Sequence, residues 1–596
     1  MSIINRMGRL LPDLSLTVAR FPVPFAVSVL AAIIGNLDIA EIINLPSVYD
    51  PPYTVAWLKK ESLYGALVAA FLASGAAHLF AEARRLNGAM SLLLALVAGA
   101  AATVPFWFVT RLEFQILMMF WLPGLVLLVM VAGYLRAGGA DNAIWIFNAR
   151  LALAIVLATV VGLVFFLGLV AIVESVEYLF SIRLGSDSTE HILCTAVTLV
   201  GPVFGLSMVS RDLSEPFVPQ EHSGLLIAGS SLLLNYLLIP IAVVYVAILY
   251  LYAGRILLNW ELPRGQIGFM VLLFAIGGTG VWLIAQPWRQ GGSALLRIFQ
   301  RTWFWLLTVP LGLLFVGLFR RVSDYGVTPE RYGLALVGLW AAVLVIGFAL
   351  RSSSIGPRLI IGSLSALLLV ASFGPWGADQ VSVRSQFSRL IVILQEAGYL
   401  SDGKIGAADR FDTKLAADGR SIVFLLSEAG RLDLLAPLFA GRENDPFSDG
   451  GQQADAGEVL GQLQLKEQAD DGSVFVNYAG WAGPVELALS NSAVFSGGHR
   501  FGTSWGSGQR SDGSGPKILV NGTNVVVSRG DDVWQATTKD LIERARAAED
   551  DTSRPLIIEL EGQRGQASLI IFEISGWIRE SEYEIESAHA VVLLPR

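Results

Sequence analysis

Cysteine is almost missing from this chain. Cys194 stands alone in 596 residues, inside an apolar run, which excludes an internal disulfide and any metal site built on several thiolates. Charge is scarce as well, at 15% of residues, and no basic stretch is interleaved with aromatics, so nucleic acid is not an expected partner. Histidine is thin. His78, His191, His222, His499 and His589 are scattered, and none has a second histidine or acid at the spacing of a zinc-binding helix, so no metal and no cofactor is expected.

What the chain has in abundance is hydrocarbon. With 54% hydrophobic residues and a mean hydropathy of +0.58, most of it must face lipid, and the bilayer is its first expected partner. The clearest feature is a hairpin in which the apolar segments 302–319 and 332–350 flank the polar turn 320–331. Each segment is roughly the 20 residues that a helix needs to cross the hydrocarbon core. Further apolar windows fall at about 21–37, 63–80, 88–108, 114–135, 151–173, 192–209, 224–252, 267–285 and 359–373, giving eleven spans. Arg6, Arg9 and Arg20 precede the first window in the manner of a signal peptide. Asn36-Leu37-Asp38 offers no small-residue cleavage pattern, however, so this reads as a retained span.

Orientation follows from the connectors. A cytoplasmic N-terminus places thirteen Lys and Arg residues inside, Arg85 and Arg297 among them, against nine outside, and an odd span count then carries the chain after Trp376 to the outer side. The expected location is the cell inner (cytoplasmic) membrane, with a cytoplasmic N-terminus and a periplasmic C-terminal domain.

Three stretches carry a resemblance. The turn Tyr325-Gly326-Val327-Thr328-Pro329-Glu330-Arg331-Tyr332, then Ser372-Phe-Gly-Pro-Trp376, then Val383-Arg-Ser-Gln-Phe-Ser-Arg-Leu390 resemble the bacterial membrane proteins grouped as domain of unknown function 4153 (DUF4153). The similarity covers the membrane half and reaches about Leu400, and the turn (Tyr325, Gly326, Thr328, Pro329, Arg331 and Tyr332) is its most specific element. The resemblance implies a polytopic inner-membrane protein. It implies no activity.

After Trp376 the hydrophobicity falls. Residues 381–397 show helical spacing with Gly398 placed to cap, and Leu394-Gln-Glu-Ala-Gly-Tyr-Leu400 recurs at an offset of 32 as Leu426-Ser-Glu-Ala-Gly-Arg-Leu432, predicting two helices of one design. Residues 441–457 read as a Gly- and Asp-rich loop. Strand-like runs follow at 473–478, 485–489, 517–520, 524–527, 555–560, 567–574 and 583–594. Asn521-Gly522 gives the clearest hairpin signal, and one helix is expected over 538–548, capped by Thr538 or Thr537. The fold class is thus a polytopic α-helical membrane bundle of about eleven transmembrane helices, followed by a soluble α+β domain rich in antiparallel strand. Its expected parts are a membrane domain at 1–375, a helical linker unit at 376–440 and the α+β domain at 441–596.

No constellation for catalysis stands out. Gly502-Thr-Ser504-Trp-Gly506 fits the outline of a nucleophile turn, but the Gly- and Ser-rich stretch behind it supplies no helix, so it reads as loop. Ser514 stands where a phosphate loop needs lysine. The transport-path candidates are Glu174 and Glu177, three apart at the end of the fifth span, with Asn235 beside Pro240 and Gln286. The bland readings are solvated carboxylates at the headgroup level and, for Asn235, a bond between helices. The favoured reading is an envelope-associated binding, assembly or signalling protein whose C-terminal domain meets other envelope proteins. A solute or ion transporter is the alternative, and a membrane enzyme comes third.

Overall fold

Each of the eleven apolar windows folds as helix, because in segments without charge the backbone can satisfy its polar groups only internally. The computed structural model describes residues 14–595 apart from 44, 50–57, 136–140, 181–186, 211, 214–224, 260–266, 289–292, 352–354, 402–403, 406–412, 441–444, 448–453, 455, 464–473, 480–492, 502–516, 522, 530–531, 549–554, 563–566 and 580–581. The chain divides into two compact units, one holding residues 1–395, 402–404 and 422–456, the other 396–401, 405–421 and 457–596. The expected strand at 485–489, the turn at 502–506, His222 and most of the 441–457 loop lie outside the described residues.

The first unit begins with α1 (Leu14–Arg20), α2 (Pro22–Ile39), α3 (Lys60–Ala83), α4 (Gly88–Thr103), α5 (Arg111–Ile116), α6 (Leu122–Val131), α7 (Asp141–Phe180), α8 (Ser188–Thr195) and α9 (Gly201–Met208). It continues with α10 (Leu225–Leu233), α11 (Ile239–Asn259), α12 (Ile267–Ala285), α13 (Ala294–Leu306), α14 (Thr308–Tyr325), α15 (Pro329–Arg351), α16 (Pro357–Ala371) and α17 (Ala378–Glu396). Among the described residues ten helical stretches are long and apolar enough to cross a membrane. The eleventh window is α16, whose 15 residues reach about 22 Å of the roughly 30 Å hydrocarbon core. Large apolar side chains such as Leu163, Val164, Leu251 and Leu350 stand outward along these helices, which only lipid makes tenable. This is the architecture of a multi-pass membrane protein.

Packing inside the bundle relies on small side chains. Ala66, Ala69, Ala70, Ala73 and Ser74 are buried along α3, letting α4 approach closely. On α12, a Cβ at Gly278 would fall 1.9 Å from the Trp303 ring, so the indole lies directly on backbone. Three spans are π-helical for five residues just ahead of a proline: Leu117–Trp121 before Pro123, Ala196–Val200 before Pro202 and Leu234–Leu238 before Pro240. Proline lacks an N–H and its ring collides with the carbonyl four residues back; the widened turn relieves that collision and the helix continues.

Beyond the short pair β1 (Leu400–Ser401) and β2 (Lys404–Ile405), the second unit is built on antiparallel strands β3 (Val474–Ala479), β4 (Ala493–Phe501), β5 (Lys517–Asn521), β6 (Asn524–Arg529), β7 (Asp532–Thr537), β8 (Leu556–Gly562), β9 (Ala567–Arg579) and β10 (Glu582–Pro595). Their order is β4-β10-β9-β8-β7-β6-β5, with β3 also paired to β9, and the edges β4 and β5 approach one another to make a nearly closed barrel. Alternation drives this: Ile558 and Leu560 point in while Ile557, Glu559 and Glu561 point out. The expected hairpin forms, with Asn521 paired to Asn524. β4 and β7 are strands that the hydropathy pattern did not disclose. A helix, Thr538–Ala547, sets Leu541, Ile542 and Ala545 into the sheet's core, and Thr537 caps it by accepting from the Asp540 N–H at 3.0 Å.

Candidate functional site

The three stretches that carry the resemblance meet in one place. Gly326 ends α14 at φ +68° and ψ −177°, a conformation essentially reserved for glycine, and the turn it makes is held by α17. Gln386, 4% exposed, donates to the carbonyls of Tyr325 and Val327, both at 3.0 Å, and the Ser385 hydroxyl accepts from the Val327 N–H at 2.8 Å. Arg331 donates back to the carbonyls of Tyr325 and Gly326 at 2.9 and 2.7 Å, and Arg331 and Arg389 both lie over the Tyr325 ring. Thr328 takes the Tyr332 N–H on its carbonyl, and Pro329 opens α15 where its missing N–H is not needed. The Tyr332 hydroxyl donates to the Trp376 carbonyl at 2.8 Å. That bond carries a consequence for topology: α16, though short, returns the chain to the face from which α15 departs.

Beside this junction Asp379 opens α17. One of its oxygens accepts from Gln380 at 2.9 Å, and the other is buried without a hydrogen-bond partner among the described residues. Burial, and then the Glu113 carboxylate, push Asp379 up to about 6, against the Gln380 hydrogen bond and the charge of Arg431. Nearby Arg111 pairs with Glu428 at 3.1 Å.

A second polar cluster ties three spans together at one end. The Asn36 amide donates to the Ala32 carbonyl at 2.7 Å and to the Thr195 hydroxyl at 3.3 Å, which turns its oxygen toward His191 Nδ1, 2.7 Å away, and makes that nitrogen the donor. Asp38 receives the Tyr64 hydroxyl at 2.8 Å and pairs with Lys60 at 2.9 Å. At the other end of the same helices Arg20 pairs with Glu82 at 2.9 Å and donates to the carbonyls of Val209 and Ser210, and Arg150 donates to the Ser210 hydroxyl at 3.1 Å. Among the described residues no group of three or more His, Cys, Asp or Glu side chains is arranged to hold a metal ion.

The four transport-path candidates lie on three separate elements. Glu174 is exposed and Glu177 half-buried in the last turns of α7, which is 40 residues long and so outruns the bilayer by many residues. Asn235 sits in the π-helical turn before Pro240, where it donates to the Ser231 carbonyl at 2.8 Å and accepts from Ser293, the N-cap of α13. Gln286 is half-buried in the 3-10 turn that ends the eighth span. Between the two polar ends lies a cavity of about 690 Å³ bounded by α3, α6, α7 and α9, whose polar lining residues are Asn148 and Thr159. Both spend their donors on helix carbonyls, Asn148 on Met130 and Ile144, Thr159 on Ile155.

Residues 52–405 match the family described as "Domain of unknown function (DUF4153)". The chain is also similar to "Uncharacterized protein PM1469" of Pasteurella multocida (strain Pm70), at 27% identity over 306 residues. That alignment takes in 49% of each chain, so the chain spans about half the length of the curated relative it matches. No solved structure matches.

Proposed function

We propose, from the premise that this chain belongs to the DUF4153 family of multi-pass membrane proteins, that its helix bundle is a platform and that its β-rich domain does the binding. On this reading it is an inner-membrane protein that serves envelope assembly or signalling, meeting other envelope proteins through residues 441–596 on the periplasmic side. The observation that carries it is the cavity. The large void among the spans is lined almost wholly by hydrocarbon: Asn148 and Thr159 spend their donors on helix carbonyls, and the Asn148 side-chain oxygen, which has no partner among the described residues, is a single acceptor, too little to replace the water around an ion or a polar solute. The separate positions of Glu174, Asn235 and Gln286 argue the same way. The orientation is supported by Arg20 and Arg150 gathering at one end of the bundle, and by α16 returning to the side of the Tyr325–Tyr332 turn.

The test is complementation of a deletion strain. Glu174→Gln with Glu177→Gln keeps size and hydrogen bonding but removes charge, and it is expected to restore the phenotype. A truncation after Ala456, which removes the barrel, is expected to fail. Rescue by the truncation and failure of the double variant would assign the function to the spans and favour transport.

A further inference from the structure

The cavity has the dimensions of one hydrocarbon chain, and it opens where such chains are found. Along α7 its wall runs from Asn148 to Phe166, about 27 Å at 1.5 Å of rise per residue, close to the roughly 30 Å thickness of the hydrocarbon core. The slot is therefore long and slender, the shape of an extended hydrocarbon chain. The lining residues Ile155, Leu163 and Val197 are each more than half exposed, so no further helix covers this part of the slot and the surrounding lipid can reach it. Small residues shape it: a Cβ at Gly75 would meet nothing within 4 Å and so would enter the slot, while Gly201 and Gly205 let their helix lie close against Ala158 at the slot's edge. One end, at Phe21 and Val209, reaches the level of Arg20, Glu82, Arg150 and Ser210, where a headgroup has polar company.

The geometry points to a lipid-binding site: a single long hydrocarbon chain, entering laterally from the bilayer, lies in the slot between α3, α6, α7 and α9 with its headgroup beside Arg20 and Arg150. The chemistry is shared by an acyl chain of a glycerophospholipid and by a polyprenyl phosphate. The apolar lining selects length and girth, which both have.

The full chain would be purified in mild detergent, washed free of loose lipid and analysed by native mass spectrometry with lipid extraction. One retained lipid per protein is expected, its mass stating whether the chain is acyl or isoprenoid. Gly75→Phe, which projects a ring into the slot, should lower retention about tenfold or more, whereas Gly168→Phe, on α7 away from the slot, should leave it unchanged. Should Gly75→Phe fail to fold, a second measurement uses the unaltered protein in phosphatidylethanolamine and phosphatidylglycerol vesicles. These carry either a diazirine-labelled acyl phospholipid or a diazirine-labelled polyprenyl phosphate. Crosslinks from one of the two, concentrated on residues 148–166 and 196–209, support the site. Complete loss of lipid on washing, equal retention by Gly75→Phe and Gly168→Phe, or crosslinks spread evenly over all outward-facing helices would each overturn it.

Discussion

Replacing Asp379 by asparagine should stabilise the folded chain, by an amount that depends on pH. Asp379 sits where its charge is costly: burial removes water from the carboxylate, Glu113 repels it, and one oxygen has no partner among the described residues. Its folded value, about 6, stands above the ordinary 3.8. For an acid raised in this way the folded state holds its proton more tightly than the unfolded chain, so stability is greatest below about 4, falls as pH rises from 4 to 6, and is level beyond. A shift of roughly two units corresponds to about 3 kcal/mol at most. Partial exposure of the group reduces this to about 1–3 kcal/mol. Asparagine keeps the acceptor for Gln380 and never ionises. The assay is thermal or denaturant unfolding in detergent, followed by tryptophan fluorescence from pH 4 to 7. Other carboxylates titrate in both proteins, so the informative quantity is the difference between them. It should be near zero at pH 4 and grow to about 1–3 kcal/mol in favour of the variant at pH 7. A difference that is constant with pH, or a variant less stable at pH 7, would refute the reasoning.

Three further outcomes follow from the same junction and from the barrel. Gln386→Ala strips the Val327 carbonyl of its donor while Arg331 still serves Tyr325, and it should cost about 2–4 kcal/mol in the same unfolding assay. Gly326→Ala, which forces a side chain into a glycine-only conformation 2.9 Å from Gln386 Nε2, should cost about 1–3 kcal/mol; an unchanged midpoint would show that the turn relaxes freely. Residues 457–596, expressed alone, should melt cooperatively with a strand-dominated circular dichroism spectrum, because Ile518, Val527, Leu541, Leu569, Ile571 and Val592 form a core of their own. A molten product would place part of that core elsewhere.

Hydropathy made the membrane half legible. Each window is a helix because charge-free sequence in lipid has few alternatives, and only the 15-residue α16 falls below spanning length. The kinks were less so. Asn235 and Pro240 marked one of three π-helical turns, whereas Pro123 and Pro202 sit in runs so apolar that nothing local set them apart. Repeats were readable at the level of caps: Gly398 and Gly430 both adopt positive φ at the ends of the two matched helices. β4 stayed hidden because Gly497-Gly498 breaks its alternation, and β7 because six residues with one tryptophan carry too little pattern.

The site separates local from long-range information in the same way. Gly326 and Pro329 announce a turn, but the role of Gln386 depends on a partner about 60 residues away, and periodicity holds no trace of it. The cluster of Asn36, Asp38, Lys60 and Tyr64 with His191 is likewise assembled from residues far apart in the chain. Its signal was present, since Asn36 and Asp38 are polar residues inside the last turn of a span.

Sidedness decides whether the barrel can meet other envelope proteins, and the lone cysteine makes it directly measurable. In a Cys194→Ser background, Lys539→Cys puts a thiol on the exposed face of the barrel's helix, and Leu86→Cys puts one on the exposed connector after α3. Spheroplasts would be treated with a membrane-impermeant maleimide before and after permeabilisation. With the barrel on the periplasmic side, Lys539→Cys is expected to label at once and Leu86→Cys only after the membrane is opened. Immediate labelling of Leu86→Cys with protection of Lys539→Cys would contradict it and move the barrel to the cytoplasm.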